Sequence, residues 1–173
     1  MTERSLLLLR HAKSSWDDPL LDDFERPLAK RGREAAPRIA HEIVRRGWQP
    51  DHAIISPALR TRQTWELVAA VFPHHISCDF VPAVYEAPAA RILEAVRSAP
   101  EDAGCLLVVG HNPGLEELAA LIASPESNDE AMARLSAKFP TAALARFSFE
   151  GPWRALGPAA AMLEGFVTPK ELG

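Results

Sequence analysis

The chain has 173 residues, 47% hydrophobic and 24% charged, with a formal net charge of −4. That length suits one domain with a substantial core, and the composition is that of an ordinary folded protein. No lysine- and arginine-rich stripe marks a nucleic-acid surface. The apolar run 6–9 is too short to cross a membrane, and Arg10-His11 ends it too early for a secretory segment. Cys78 and Cys105 lack CxxC spacing; both read as buried structural thiols in a reducing compartment, with a bridge between them left open. The expectation is a single soluble cytoplasmic domain over residues 1–173, monomeric or weakly dimeric.

In chain order, residues 5–9, 53–55, 76–80 and 106–109 read as short buried strands. Helical stripes fall between and after them. Ala36, Ile39, Ala40, Ile43 and Val44 share one face, and Gly47 closes that helix. Leu67, Val68, Val71 and Phe72 form a second stripe ended by Pro73; Ile92, Leu93 and Val96 form a third; Leu115, Leu118, Ala119 and Ile122 form a fourth. This alternation predicts an α/β domain of three layers, its central sheet mostly parallel with helices on both faces. The C-terminal third differs. Residues 124–137 read as a polar loop with a short helix around Met132 and Leu135. Ala143, Ala145, Phe147 and Phe149 alternate with Leu144, Arg146 and Ser148, the pattern of a half-buried strand. Gly151-Pro152 makes a turn, and residues 153–156 and 162–167 read as further extended pieces, giving edge strands of which at least one is antiparallel.

The residues that carry chemistry fall behind the strands, where open α/β sheets bind ligands. The first strand delivers Arg10 and His11. The second runs into Ser56-Pro57, read as a helix cap with a first-turn proline, with Arg60 one turn on. The fourth delivers His111, then Asn112-Pro113, a second start of the same kind. Helix N-termini and arginines together make an anion site. Guanidinium groups grip phosphoryl oxygens, and a neutral imidazole can attack phosphorus and carry the group. Arg10 and Arg60 should disfavour imidazolium at His11. A backbone carbonyl should hold its other ring nitrogen, and His111 should donate to a phosphoryl oxygen.

Plainer readings exist for each residue. Arg10-His11 could merely stop a strand, and Arg60 could be a solvated helix arginine. His52, His74 and His75 read as surface residues, His41 as a helix flank, and the Asp17-Asp18 and Asp22-Asp23 pairs as solvated loop. A metal site is disfavoured, because close-spaced ligand pairs are missing and adjacent arginines would repel a cation.

Three segments in order resemble the histidine phosphatase superfamily, whose members share the phosphoglycerate mutase-like fold. They are Leu-Leu-Leu-Arg10-His11-Ala12, Ser56-Pro57-Ala58-Leu59-Arg60-Thr61-Arg62-Gln63-Thr64 and Gly110-His111-Asn112-Pro113-Gly114. Asp23-Phe24-Glu25-Arg26-Pro27-Leu28 followed by Lys30-Arg31-Gly32 is similar to the small SixA-type phosphohistidine phosphatases. The resemblance implies a phosphatase without metal or other cofactor, with His11 as the phosphorylated nucleophile and Arg10, Arg60 and His111 completing the phosphate pocket. It implies Arg26, oriented by Asp23, as a further phosphate or substrate contact, and Asn112 is grouped with these.

Two departures from the family pattern stand out. Ala12 replaces a common Gly, and the general acid of larger relatives has only a positional candidate, Glu86, which could equally be a helix-start carboxylate ahead of Pro88. Imidazole leaves phosphohistidine more readily than an alkoxide leaves an ester, so a weak acid favours phosphohistidine or aryl phosphates. No helical insertion covers the pocket, although loop 13–24 could fold over it. The expected partner is a phosphohistidine protein of a phosphorelay or phosphotransferase system. The rivals are a small phosphorylated metabolite turned over with broad specificity, and a phosphoprotein-binding module without turnover.

Overall fold

Alternate residues of the N-terminal leucine run face opposite ways, and the chain supplies a helical layer for each. In β1 (Glu3–Arg10), Leu6 and Leu8 enter one apolar cluster and Leu7 and Leu9 the other, as the two-residue period of a strand demands. All four are at most 1% exposed, and burying each contributes about 1.5–3 kcal/mol. The computed structural model describes residues 2–172; the expected domain span also takes in residues 1 and 173, which lie outside the described residues.

The elements that follow are α1 (Lys30–Arg45), β2 (His52–Ile55), α2 (Leu59–Ala69), β3 (Ser77–Phe80), α3 (Ala89–Arg97) and β4 (Cys105–Gly110). Then come α4 (Gly114–Ile122), α5 (Asp129–Ala137), β5 (Leu144–Glu150) and β6 (Met162–Val167). One six-stranded sheet has the order β3-β2-β4-β1-β5-β6. The pairs β3/β2, β2/β4 and β4/β1 are parallel, while β5 is antiparallel to both its neighbours. Helices α3, α4 and α5 cover the face bearing Leu6, Leu8, Leu106 and Val108, and α1 and α2 cover the face bearing Leu7, Leu9, Leu107 and Val109. This single three-layer α/β domain is the one that the alternation of strands and helices predicts, and its architecture is the phosphoglycerate mutase-like one that the family resemblance implies. No described helix is long and apolar enough to cross a membrane.

Several local expectations need correction. Residues 76–80 are not a buried strand: β3 is the sheet edge, and only Ile76, just before it, is buried. Its polar residues serve the edge, because buried His52 on β2 bonds Ser77 Oγ at 2.8 Å and Asp79 Oδ2 at 3.1 Å. His52 is therefore a clamp rather than a surface residue. The buried face of α2 is Arg60, Thr61, Thr64, Trp65 and Val68, whereas Val71 and Phe72 lie beyond the helix end. An apolar-only pattern misses this face, since three of its members are polar. β5 is interior rather than an edge, and Leu144 on its second face is fully buried; β6 forms the edge. Residues 153–155 form a turn of 3-10 helix (Trp153–Ala155), not an extended piece. Cys78 and Cys105 are both free and only partly buried.

Candidate active site

The parallel pairing of β1 with β4 places Arg10 beside Gly110. His11 and His111 therefore leave adjacent strands at one height, with ring centroids 5.4 Å apart. This is the place where the chain steps from β1 over β4 to β2, the switch point at which α/β sheets open a crevice. The backbone after β1 is tied down on both sides: His11 N donates to Gly110 O at 3.0 Å, and Ala142 N donates to the carbonyls of Arg10 and His11, each at 3.0 Å. Ala12 N donates to Thr64 Oγ1 at 3.0 Å, and that hydroxyl donates in turn to Arg60 O at 2.7 Å. One threonine thus joins the His11 loop to α2.

His11 is 6% exposed, and its Nδ1 lies 2.7 Å from Ala12 O. A carbonyl only accepts, so Nδ1 carries the proton and Nε2 keeps a free lone pair. Burial, then the positive charges of Arg60, Arg10 and Arg26, push its pKa down to about 3. The arginines act in the expected direction, but burial is the larger cause.

Arg60 is 2% exposed and gathers the opposite side of the pocket. It donates to Asp23 O at 2.7 Å, Asp23 Oδ2 at 2.9 Å and Glu86 Oε1 at 2.7 Å, and approaches His111 Nδ1 at 3.2 Å. The solvated-arginine reading does not hold. His111 Nε2 meets Ser56 Oγ at 2.7 Å. A guanidinium only donates, so in this state Nδ1 accepts and Nε2–H donates to Ser56; the hydroxyl can reverse roles and support the other tautomer. Burial leads in lowering the His111 pKa to about 3, followed by His11 and Arg60. Ser56 is therefore not the expected helix cap: the cap position of α2 is Ala58, without a side-chain bond. Arg10 donates through Nη1 to Phe139 O at 3.0 Å. The Nε–H groups of Arg10 and Arg60 are buried and have no partner among the described residues. Unsatisfied buried donors are costly, and both belong to arginines whose charges act on His11.

The structure also brings Asp23, Arg26 and Glu86 to this place. Asp23 takes Arg26 at 3.1 Å and Arg60 at 2.9 Å, and accepts from Tyr85 Oη at 2.7 Å. Burial alone would raise its carboxyl, but Tyr85 and the two arginines bring it down to about 2. Buried Arg26 also donates to Ser14 Oγ at 2.8 Å and stacks on Trp16, 3.5 Å from the ring centroid. Glu86 follows the short 3-10 turn Pro82–Val84 and has a left-handed backbone, φ 48°. That conformation is unfavourable for a residue with a Cβ. Its neighbour Ala87 presses its carbonyl against Gly114, where any Cβ would collide. Burial and nearby Asp23 raise the Glu86 pKa, while Arg60 opposes the rise; its Oε1 lies 3.9 Å from His111 Nδ1.

Asn112 is committed elsewhere. Its Nδ2 donates to Phe139 O at 3.1 Å and Glu116 Oε1 at 3.3 Å, and its Oδ1 accepts from Glu116 N at 3.2 Å. It holds the carbonyl that also holds Arg10. Sequence reasoning gave no role to Tyr85, Thr64 or Trp16. Tyr85 was the most findable, as the chain's single tyrosine next to Glu86. Among the described residues no cluster of three or more His, Cys, Asp or Glu is placed to hold a metal.

The family model of the histidine phosphatase superfamily (branch 1) matches residues 6–88, a span that includes Arg10, His11, Arg60 and Glu86. A SixA protein from Nakamurella multipartitia assigned as a phosphohistidine phosphatase is 28% identical, with TM-score 0.84 over 98% of each chain. A SixA protein from Agrobacterium tumefaciens with the same assignment is 30% identical, with TM-score 0.79 over 96% of this chain and 98% of that one. An uncharacterized protein of Mycobacterium tuberculosis is 34% identical over 170 residues, covering 94% of this chain and all of its own. The strand-end histidines and arginines thus sit in a fold and sequence context shared along the whole chain, which belongs to the histidine phosphatase superfamily, in its SixA-type group, and is a phosphatase.

Proposed function

We propose that the enzyme dephosphorylates phosphohistidine on a protein through a covalent intermediate on His11, without a metal. The observation that carries the reading is the bond from His11 Nδ1 to Ala12 O, which leaves Nε2 free amid buried arginine donors. Nε2 attacks phosphorus, and the bond from phosphorus to the departing imidazole breaks with its electron pair on that nitrogen. Arg10 and Arg60 hold the phosphoryl oxygens, and His111 donates through Nδ1 once Ser56 takes the donor role toward Nε2. Arg26, held by Asp23, lines the same anion site, and Asn112 acts as a positioning residue through Phe139. Glu86, with its raised pKa, protonates the departing nitrogen. Water then attacks phosphorus, Glu86 takes its proton, and His11 is released with phosphate.

Two features support a protein substrate. Asp23 and Glu86 are 45% and 44% exposed, so the carboxylate side of the pocket opens outward. In the loop expected to be able to fold over the site, Leu20 is 92% exposed and Trp16, although stacked on Arg26, is 70% exposed. A phosphorelay or phosphotransferase component in the cytoplasm is the partner we favour, and the free thiols of Cys78 and Cys105 suit such a compartment. We take the enzyme to act as a monomer or weak dimer. The test compares kcat/KM on a histidine-phosphorylated carrier protein with kcat/KM on free sugar phosphates, each with and without EDTA. The reading requires a preference of about 10²-fold or more for the protein and indifference to EDTA. Equal or better turnover of sugar phosphates, or loss of activity with EDTA that zinc restores, would overturn it.

A further inference from the structure

A groove of about 980 Å³ runs beside the His11 loop, between the start of α1, the end of α5 and the C-terminal segment after β6. Lys13, Arg31, Arg38, Lys138 and Lys170 line it, all exposed and none ion-paired among the described residues. A sixth cation, Arg134, pairs with Glu171, which leaves Glu34 as the groove's one unpaired carboxylate. The whole chain carries a net charge of −4, so concentrating cations here runs against the overall balance. No stripe shows in the sequence because the cations come from four separate segments. Phe166, Ala35 and Pro140 add apolar surface to the groove's lining.

The groove is continuous with the active site through its backbone. Lys13 stands two residues after His11, and its carbonyl accepts from Ala29 N at 2.9 Å. Gly32 of α1 lies so close to the Lys13 backbone that a Cβ there would collide with it. On the other wall, Lys138 precedes Phe139, whose carbonyl holds both Arg10 and Asn112.

We infer that this groove docks an acidic amphipathic segment of the phosphoprotein substrate, which presents its phosphohistidine to His11. The inference rests on the protein-substrate reading above. Its chemistry favours a protein over a small polyanion: the cations come from four separate segments and share the lining with apolar residues. A helix with one apolar stripe and glutamates on its flanks meets both features. Flexible, exposed lysines and arginines suit electrostatic steering of such a partner.

The test uses two synthetic peptides of about 15 residues, long enough for roughly four helical turns. Each carries one phosphohistidine and the same apolar stripe, but one has glutamate flanks and the other lysine flanks. The protein is compared with its Arg38→Glu/Lys170→Glu double variant, whose changed residues touch none of the catalytic groups. Unphosphorylated, fluorescently labelled peptides measure binding directly, and p-nitrophenyl phosphate measures basal turnover. The glutamate peptide should bind and turn over about tenfold or more better than the lysine peptide at low salt. That preference should shrink with added salt and vanish in the double variant, with p-nitrophenyl phosphate turnover unchanged. Equal binding of the two peptides would overturn the inference, as would tighter, groove-dependent binding of duplex DNA or anionic vesicles. The two readings fail separately. Groove-dependent binding of the glutamate peptide without hydrolysis would sink the substrate assignment and leave the groove, whereas equal hydrolysis of both peptides would do the reverse.

Discussion

The two walls of the pocket are held in different ways. Arg10 ends a strand in the middle of the sheet and His11 and His111 follow such strands, and the main chain beside them is bonded to Gly110, Ala142 and Ala143. Asp23, Tyr85 and Glu86 come from loops and are held chiefly by side-chain bonds to Arg60 and Asp23, with one further bond from Arg60 to the Asp23 carbonyl. The first wall is rigid because moving it would break strand pairing and expose leucines. The second is a polar network to which the proposed mechanism gives the proton chemistry, and it keeps its shape only while each bond is made. A phosphatase needs both: an unyielding nucleophile and anion grip, and an acid whose protonation responds to its surroundings.

This contrast predicts a graded set of losses. Removing the nucleophile has the largest effect. His11→Ala should abolish turnover of p-nitrophenyl phosphate while leaving the circular dichroism spectrum intact; measurable residual turnover would remove His11 from its proposed role. Arg60 belongs to both walls, so Arg60→Ala should lower kcat by about 10²–10³-fold. Arg60→Lys should recover little of it, because an ammonium cannot reproduce the forked donors. Full recovery by lysine would show that charge alone matters there.

Glu86→Gln tests the second wall by leaving group. It should cost about 10²-fold on an alkyl phosphate and much less on phosphohistidine, whose imidazole leaves more easily. An equal loss on both would assign Glu86 to holding Arg60 rather than to proton transfer. Tyr85→Phe removes one bond to Asp23, and a loss of about 1 kcal/mol, or several-fold in kcat/KM, should follow. No change would mean that the arginines alone hold Asp23.

The smallest effect is on pH dependence. The pKa values of His11 and His111 fall from 6.5 to about 3 on folding. Between those values the unfolded chain binds protons that the native protein refuses, so stability is complete above pH 6.5 and declines as pH falls toward 3. His11 stays neutral through the same window. His11 should therefore show no imidazole titration by NMR near pH 6.5, and a normal titration there would contradict its burial.

The same contrast explains what was legible in the sequence. The strand-end wall could be read because an unusual residue directly follows a run of apolar ones, as Arg10-His11 follows 6–9 and His111 follows 106–109. Register then put the two histidines together, which the alternation of elements alone does not specify. The loop wall was only partly legible. Glu86 was found by position and Asp23 through the family pattern, but the Tyr85–Asp23 bond spans 62 residues and leaves no local signal. Polar residues that fill core positions were the main source of error. Thr61 and Thr64 build the inner face of α2 beside Arg60 and Trp65, which an apolar stripe cannot reveal. His52 looks like a loop residue until its edge-strand partners are seen.

The central claim is that His11 Nε2 carries the phosphoryl group, and rapid-quench single turnover with a ³²P-phosphohistidine protein tests it most directly. Label should appear transiently on His11 as an acid-labile, Nε2-linked phosphohistidine and then leave as phosphate at the rate of product release. His11→Ala should take up none. Phosphate release without any labelled enzyme, or label that persists in His11→Ala, would contradict the account.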